Sequence, residues 1–263
     1  MTKVEDTLVA PARVAKDLKV SDLIDAVGAG WRDFKAFPAF GLFFSAIFVS
    51  GGFFLYFVFF VWNEVAWFIP IAAGFPLLAP FVAVGLYEVS RRREAGEPMR
   101  WRAILSTVWA RGDEQIISIG VILFVAFGFW LMIAHGIFAI FLAESDAGAE
   151  SIELFRETAG LMMLLVGSIV GALIALAFYS ITVVSLPMLV DRKVDFITAI
   201  IVSLATVRSN KFVMLAWAVI AAISLFAAML PFLLGLFIVL PVLGHATWHL
   251  FRRSVSDADA GQQ

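Results

Sequence analysis

The sequence predicts an all-α, polytopic membrane protein with six transmembrane helices, three interfacial amphipathic helices and both termini in the cytoplasm. Three observations carry that reading. Of the 263 residues, 62% are apolar and only 15% are charged, with a mean hydropathy of +0.97. A soluble chain runs at about 25% charged, and this apolar surplus leaves too little polar surface to cover a water-facing exterior. The apolar residues are gathered into runs of about 20 or more, the length needed to cross a hydrocarbon core. The Lys and Arg residues fall almost entirely into alternate loops.

Taken in order, residues 1–19 read as a flexible cytoplasmic N-terminus, because residues 1–36 carry charges throughout and hold no apolar signal core. A single transmembrane domain is expected over 20–253, followed by a flexible cytoplasmic tail over 254–263. Val20, Leu23, Ile24, Val27, Trp31 and Phe34 recur at three- and four-residue steps among Asp22, Asp25, Arg32 and Lys35, which predicts an amphipathic helix in the headgroup plane. Two spans follow at 37–62 and 66–89, the second interrupted by Pro70, Pro76 and Pro80. Trp101, Ile104, Leu105 and Val108, with Pro98 as the helix start, form the next amphipathic stretch, ahead of spans at 116–142 and 160–189. Ile197, Ile200, Ile201 and Leu204 form the third, ahead of spans at 212–230 and 232–250, which are separated by a tight turn where Pro231 starts the returning helix.

The chain thus reads as three units, each an amphipathic helix plus a hairpin of two spans. Pro80, Tyr87 and Arg91 match Pro241, Trp248 and Arg252 at identical offsets, while the middle unit departs, with Pro187 close before Arg192. With a cytoplasmic N-terminus, eighteen of the nineteen Lys and Arg residues lie inside and only Arg156 lies outside, while Glu64, Glu144, Asp146, Glu150, Glu153 and Glu157 fill the outer loops. That asymmetry is what translocation of short loops selects.

Little in the spans can do chemistry. Their central thirds hold no Asp, Glu, Lys or Arg, and an ion-coupled transporter ordinarily needs a buried carboxylate. Cys is absent, which excludes disulfides and thiolate chemistry; the formal charge of -2 gives no basic excess for nucleic acid. No G-x-S-x-G, P-loop or H-E-x-x-H motif occurs. His245 and His249, four apart on one helix face, are weak metal candidates with Glu88, which takes the position of His249 in the first unit; no cofactor is expected. Arg91, Arg92 and Arg93 are candidates for binding anionic lipid headgroups. Serines and threonines near the spans are expected to bond other helices or their own backbone.

The stretch Ser185-Leu186-Pro187-Met188-Leu189-Val190-Asp191-Arg192-Lys193-Val194-Asp195 resembles a recurring motif of a bacterial integral-membrane family, the domain of unknown function 2189. Pro241-Val242-Leu243-Gly244-His245-Ala246-Thr247-Trp248-His249 resembles another, and the likeness runs from about Val20 onward. Family members are often labelled as similar to cytochrome c oxidase subunit I, which implies an association with respiratory complexes. Three His in the whole chain do not supply that oxidase's metal ligands. Pro187, Asp191 and Arg192 are read as a structural motif. Pro187 ends or kinks the fourth span, and Asp191 caps the following helix or pairs with Arg192 or another Arg. The expected function is a non-catalytic scaffold or accessory protein, partnered by the bilayer and by respiratory-complex subunits. The alternative is a transporter or lipid-handling protein for apolar or zwitterionic substrates, with a polar, water-lined cavity near Gly74 and Pro76 as its mark.

Overall fold

The computed structural model describes residues 12–62, 71, 74–75, 79–108, 115–143 and 157–256. Pro70, Pro76, Glu64, Arg111, Glu144, Asp146, Glu150, Glu153 and Arg156 lie outside the described residues, as does much of the expected second span.

Nearly everything described is helical. In chain order the helices are α1 (Val20–Ala36), α2 (Pro38–Trp62), α3 (Ala79–Glu94), α4 (Trp101–Leu105, extended by a 3₁₀ turn over Ser106–Val108), α5 (Gln115–Ala143), α6 (Thr158–Thr182), α7 (Ser185–Asp191), α8 (Phe196–Ser209), α9 (Lys211–Met229) and α10 (Leu236–Ser254). Among the described residues, four stretches are long and apolar enough to cross a membrane: 38–58, 115–141, 158–191 and 211–229. The six expected spans are therefore reached only in part. The described part of the second, α3, has 16 residues and ends in Arg91, Arg92 and Arg93. The sixth, α10, carries His245, His249, Arg252 and Arg253 and buries more of its surface than any of the four.

Two boundaries differ from the sequence reading. The fourth span breaks at Val183 and Val184, ahead of Pro187, which sits in the first turn of α7 where its missing N–H costs nothing. The Ser203 hydroxyl of α8 fills the break, accepting from the Val184 N–H (3.2 Å) and donating to the Ser180 carbonyl (2.7 Å). The turn before α10 is longer than expected: α10 starts at Leu236, and Pro231 lies within the turn. Phe232 and Leu233 take φ of 51° and 64°, left-handed values that cost non-glycine residues roughly 1–2 kcal/mol each. Gly235 closes this turn because a Cβ there would come within 2.7 Å of the Ala228 backbone.

The described stretches nearest the two termini are paired with each other and with the helices. Arg13–Val14 (β1) pairs antiparallel with Val255–Ser256 (β2). Asn210 accepts from the Leu18 N–H at 3.2 Å and donates to the Ala15 carbonyl at 2.6 Å. The described ends therefore pack onto the domain.

The packing follows a cyclic order. The helix before each hairpin lies on the second arm of another: α1 on α10, α4 on α3, and α8 on α6 and α7. At one end of those arms α3, α7 and α10 pack on one another, and Leu86, Val89, Leu186, Val190 and Trp248 there are 0% exposed. Tyr87 and Trp248, which match in the repeat read from the sequence, are both buried in one core cluster.

Candidate functional site

The site grows from one close approach. Gly30 of α1 lies against α10 so tightly that a Cβ would sit 2.6 Å from the Ala246 nitrogen and 2.7 Å from the Val242 carbonyl oxygen. Only glycine admits that contact. One turn later it brings Asp33 between α3 and α10, where the residue is 3% exposed.

Asp33 is fully engaged there. Its Oδ1 accepts from Arg93, and its Oδ2 accepts from the Ser90 hydroxyl at 2.6 Å and lies 2.9 Å from His249 Nε2. The other nitrogen of His249, Nδ1, lies 3.3 Å from Glu94 Oε1. Ionised carboxylates only accept, so a ring facing one on each side must donate from both nitrogens. His249 is therefore an imidazolium. Glu94 Oε2 also meets Arg252 Nε at 3.2 Å, and Arg252 Nη1 reaches Asp191 Oδ2 at 3.1 Å. A continuous chain of charges, Asp33–His249–Glu94–Arg252–Asp191, thus ties α1, α10, α3 and α7 together. Arg93 adds a further cation at Asp33 and Arg192 another at Asp191.

Burial works to raise the Asp33 carboxyl, but the hydrogen bonds from His249 and Ser90 outweigh it and hold the group below the usual aspartate range. Glu94 is held low in the same way, burial being outweighed by His249 and Arg252 among its partners.

Ser90, His245 and Asp33 have the composition of a nucleophilic triad but not its wiring. In a working triad the serine donates to the histidine and the histidine to the carboxylate. Here the Ser90 proton goes to Asp33, and the hydroxyl oxygen faces His245 Nδ1 at 2.8 Å, so it accepts from Nδ1–H. The imidazole is then in no position to take the serine proton. Ser90 and His245 are both 0% exposed. Nε2 of His245 has no partner among the described residues.

The weak candidate metal trio, His245, His249 and Glu88, is not assembled among the described residues. His245 and His249 do share this site, but both oxygens of Glu88 are taken by Arg91 (2.8 Å to Nε and 2.8 Å to Nη2) and by Arg92 (2.7 Å to Nε). Among the described residues no group of three His, Asp or Glu is arranged to hold a metal. The candidate headgroup residues are bound within the protein. Arg91 and Arg92 also meet Glu97, at 3.0 and 3.2 Å, and Arg93 meets Asp33. Asp191 does pair with Arg192 (3.4 Å) and with Arg252, but the cap of α8 is Asp195, which accepts from the Thr198 N–H at 2.8 Å. Several serines and threonines bond back to their own helix: Ser180 to Leu176, Thr182 to Phe178, and Ser185 to Ile181.

The sequence reading missed Asp33 and Ser90. A signal for Asp33 was present: Leu23, Ala26, Gly30, Asp33 and Phe34 follow three- and four-residue steps, so an Asp stands on the face that the helix buries. Toward the opposite end of α10 lies a different feature, an apolar cavity of about 260 Å³ bounded by Gly52, Phe53, Tyr56, Phe75, Leu230 and Phe232 among others.

Residues 68–191 match the model of a family described as a predicted integral membrane protein, DUF2189. The match takes in Ser185–Asp191 and stops short of Pro241–His249. No curated protein and no solved structure matches the chain.

Proposed function

We propose that this chain, an integral membrane protein similar over 68–191 to DUF2189, is a non-catalytic scaffold and accessory protein of the bacterial inner membrane. In this reading it crosses six times with both termini in the cytoplasm, and its partners are subunits of respiratory complexes. The observation that carries the scaffold role is the closed polar clamp. The groups that look most like chemistry are spent on one another, tying four helices together, with Ser90 and His245 out of reach of substrate. The topology rests on the Lys and Arg asymmetry. The partner surface is supplied by α5 and α6, whose Phe124, Phe129, Met132, Leu161 and Leu173 are all exposed.

Purification in a mild, lipid-retaining detergent followed by mass spectrometry tests the role. Respiratory-complex subunits in stoichiometric amount are expected, and a protein that travels alone sinks the accessory reading. Reporter fusions at both termini test the topology.

The apolar cavity favours one alternative, handling of a lipid or another apolar molecule. Its walls are hydrocarbon and aromatic, unlike the water-lined route expected near Gly74 and Pro76. A bound lipid lost on filling the cavity with Gly52→Leu would favour that alternative.

A further inference from the structure

Helices α1 and α8 are built to one plan. At one constant offset, Asp22 and Asp195 each accept a backbone N–H in the first turn, from Lys19 and from Thr198, Ala26 and Ala199 are buried, and Gly30 and Ser203 each touch the backbone of the arm beneath. On the outward face, at the same offset, Ile24 and Ile197, Trp31 and Leu204, and Lys35 and Arg208 are exposed. Each helix then turns directly into a span, at Pro38 and at Lys211.

Each elbow therefore shows water or lipid an apolar stripe ending in cations. Lys35 Nζ lies 5.7 Å from the Trp31 ring and Lys211 Nζ lies 5.7 Å from the Phe212 ring. Arg32 and Arg208 stand exposed beside them. None of these four cations has an ion-pair partner among the described residues, whereas Arg91, Arg92 and Arg93 are all paired.

We propose that the two elbows, Trp31–Pro38 and Arg208–Phe212, each bind the phosphate of an anionic phospholipid headgroup, and that the Arg91–Arg93 run does not. The inference rests on the membrane-embedded reading above. An anionic phospholipid matches the site in both parts. Its phosphate meets two unpaired cations at the level where a span enters, and its tails lie along the apolar stripe and the aromatic ring. A zwitterionic lipid brings its own ammonium toward those cations and loses the advantage.

Spin-labelled lipids in nanodiscs holding the full chain test this. The immobilised fraction of labelled phosphatidylglycerol is compared with that of labelled phosphatidylcholine. The wild type is expected to prefer the anionic lipid by about fivefold, the effect of roughly one unscreened cation per bound lipid. In R32Q/K35Q/R208Q/K211Q, whose changes are all on exposed side chains, the preference is expected to fall to about one, and in the wild type it should weaken as salt is raised. A preference that survives the quadruple substitution would overturn the site. Equal immobilisation of both lipids by the wild type would also overturn it, while leaving the membrane-embedded reading intact. No immobilised fraction for either lipid would instead remove the reading on which the site rests.

Discussion

The clamp end of the molecule and the α5–α6 hairpin are held by different physics. At the clamp, α1, α3, α7 and α10 meet through ionised groups and a glycine-tight backbone contact. Along the hairpin most large side chains face outward, and in an 18-residue apolar stretch of each arm, within 115–141 and within 158–191, only 22% and 11% of the residues are buried. In hydrocarbon, burying one apolar helix face against another gains little over burying it against lipid tails, so small residues and occasional hydrogen bonds do the packing. Near the headgroups, ions can be paired and apolar burial pays again. The fold is therefore specified where its charged groups meet and only loosely specified in its hairpin.

The largest effect should come from Asp33→Asn. It keeps the shape but leaves Arg93 and His249 without their shared anion. Removing one partner of a buried ion pair costs about 3–5 kcal/mol, and we expect about 3 kcal/mol because Arg93 is 37% exposed and can recruit water. Thermal melts in detergent, followed by size-exclusion fluorescence, read this as a clear drop in midpoint. A midpoint within error of wild type would break the comparison, since the clamp would then be no stronger than the hairpin.

Acid probes the same carboxylate in the unmodified protein. Against its burial, the hydrogen bonds from His249 and Ser90 hold its folded-state pKa below the ordinary aspartate value, so it contributes stability that is complete above the unfolded value and disappears as the pH falls through the folded one. Melts should be flat in this contribution from neutrality to about pH 5 and should decline below the ordinary aspartate range. In Asp33→Asn that decline should be smaller. An identical acid limb in both proteins would assign the loss to other carboxylates.

Gly30→Ala comes next. The added methyl meets backbone atoms of α10, which cannot rotate aside as a side chain can, and overpacking of this kind costs about 1–3 kcal/mol. Asp195→Ala follows at about 1 kcal/mol, the usual worth of an N-cap, through loss of the bond to the Thr198 N–H. A melt series over the three variants should preserve this order.

The elements were far more legible in the sequence than the site. Runs of apolar residues place α2, α5 and α9 to within a residue or two, because a span is specified by its own composition. The break at Val183 was harder, since two valines carry no breaking signal and only Pro187, four residues on, hints at it. The clamp was half legible. His245 and His249 stand out by spacing, but their partners come from helices far away in sequence, and the equivalence of Glu88 with His249 pointed to the wrong carboxylate. Arg91, Arg92 and Arg93 looked like a free cationic run because pairing with Glu88, Glu97 and Asp33 depends on tertiary approach. Arg32, Lys35, Arg208 and Lys211, spaced three apart in two pairs, have no ion-pair partner among the described residues.

The smallest effects separate two glycines of α6. Gly167 and Gly171 stand in a G-x-x-x-G spacing, which in membranes signals close helix contact. Only one of them meets a helix here. A Cβ on Gly171 would lie 3.0 Å from the Trp130 ring, while one on Gly167 has nothing within 4 Å. Gly171→Ala should cost up to about 1 kcal/mol, offset in part because alanine favours the helix by a similar amount. Gly167→Ala should be neutral or slightly stabilising, since it gains that propensity without a clash. A marked loss of stability from Gly167→Ala would mean that another surface, such as a second copy or a partner subunit, lies against α6 in the membrane. The hairpin would then be specified from outside the chain, and the contrast with the clamp would become one between internal and external packing.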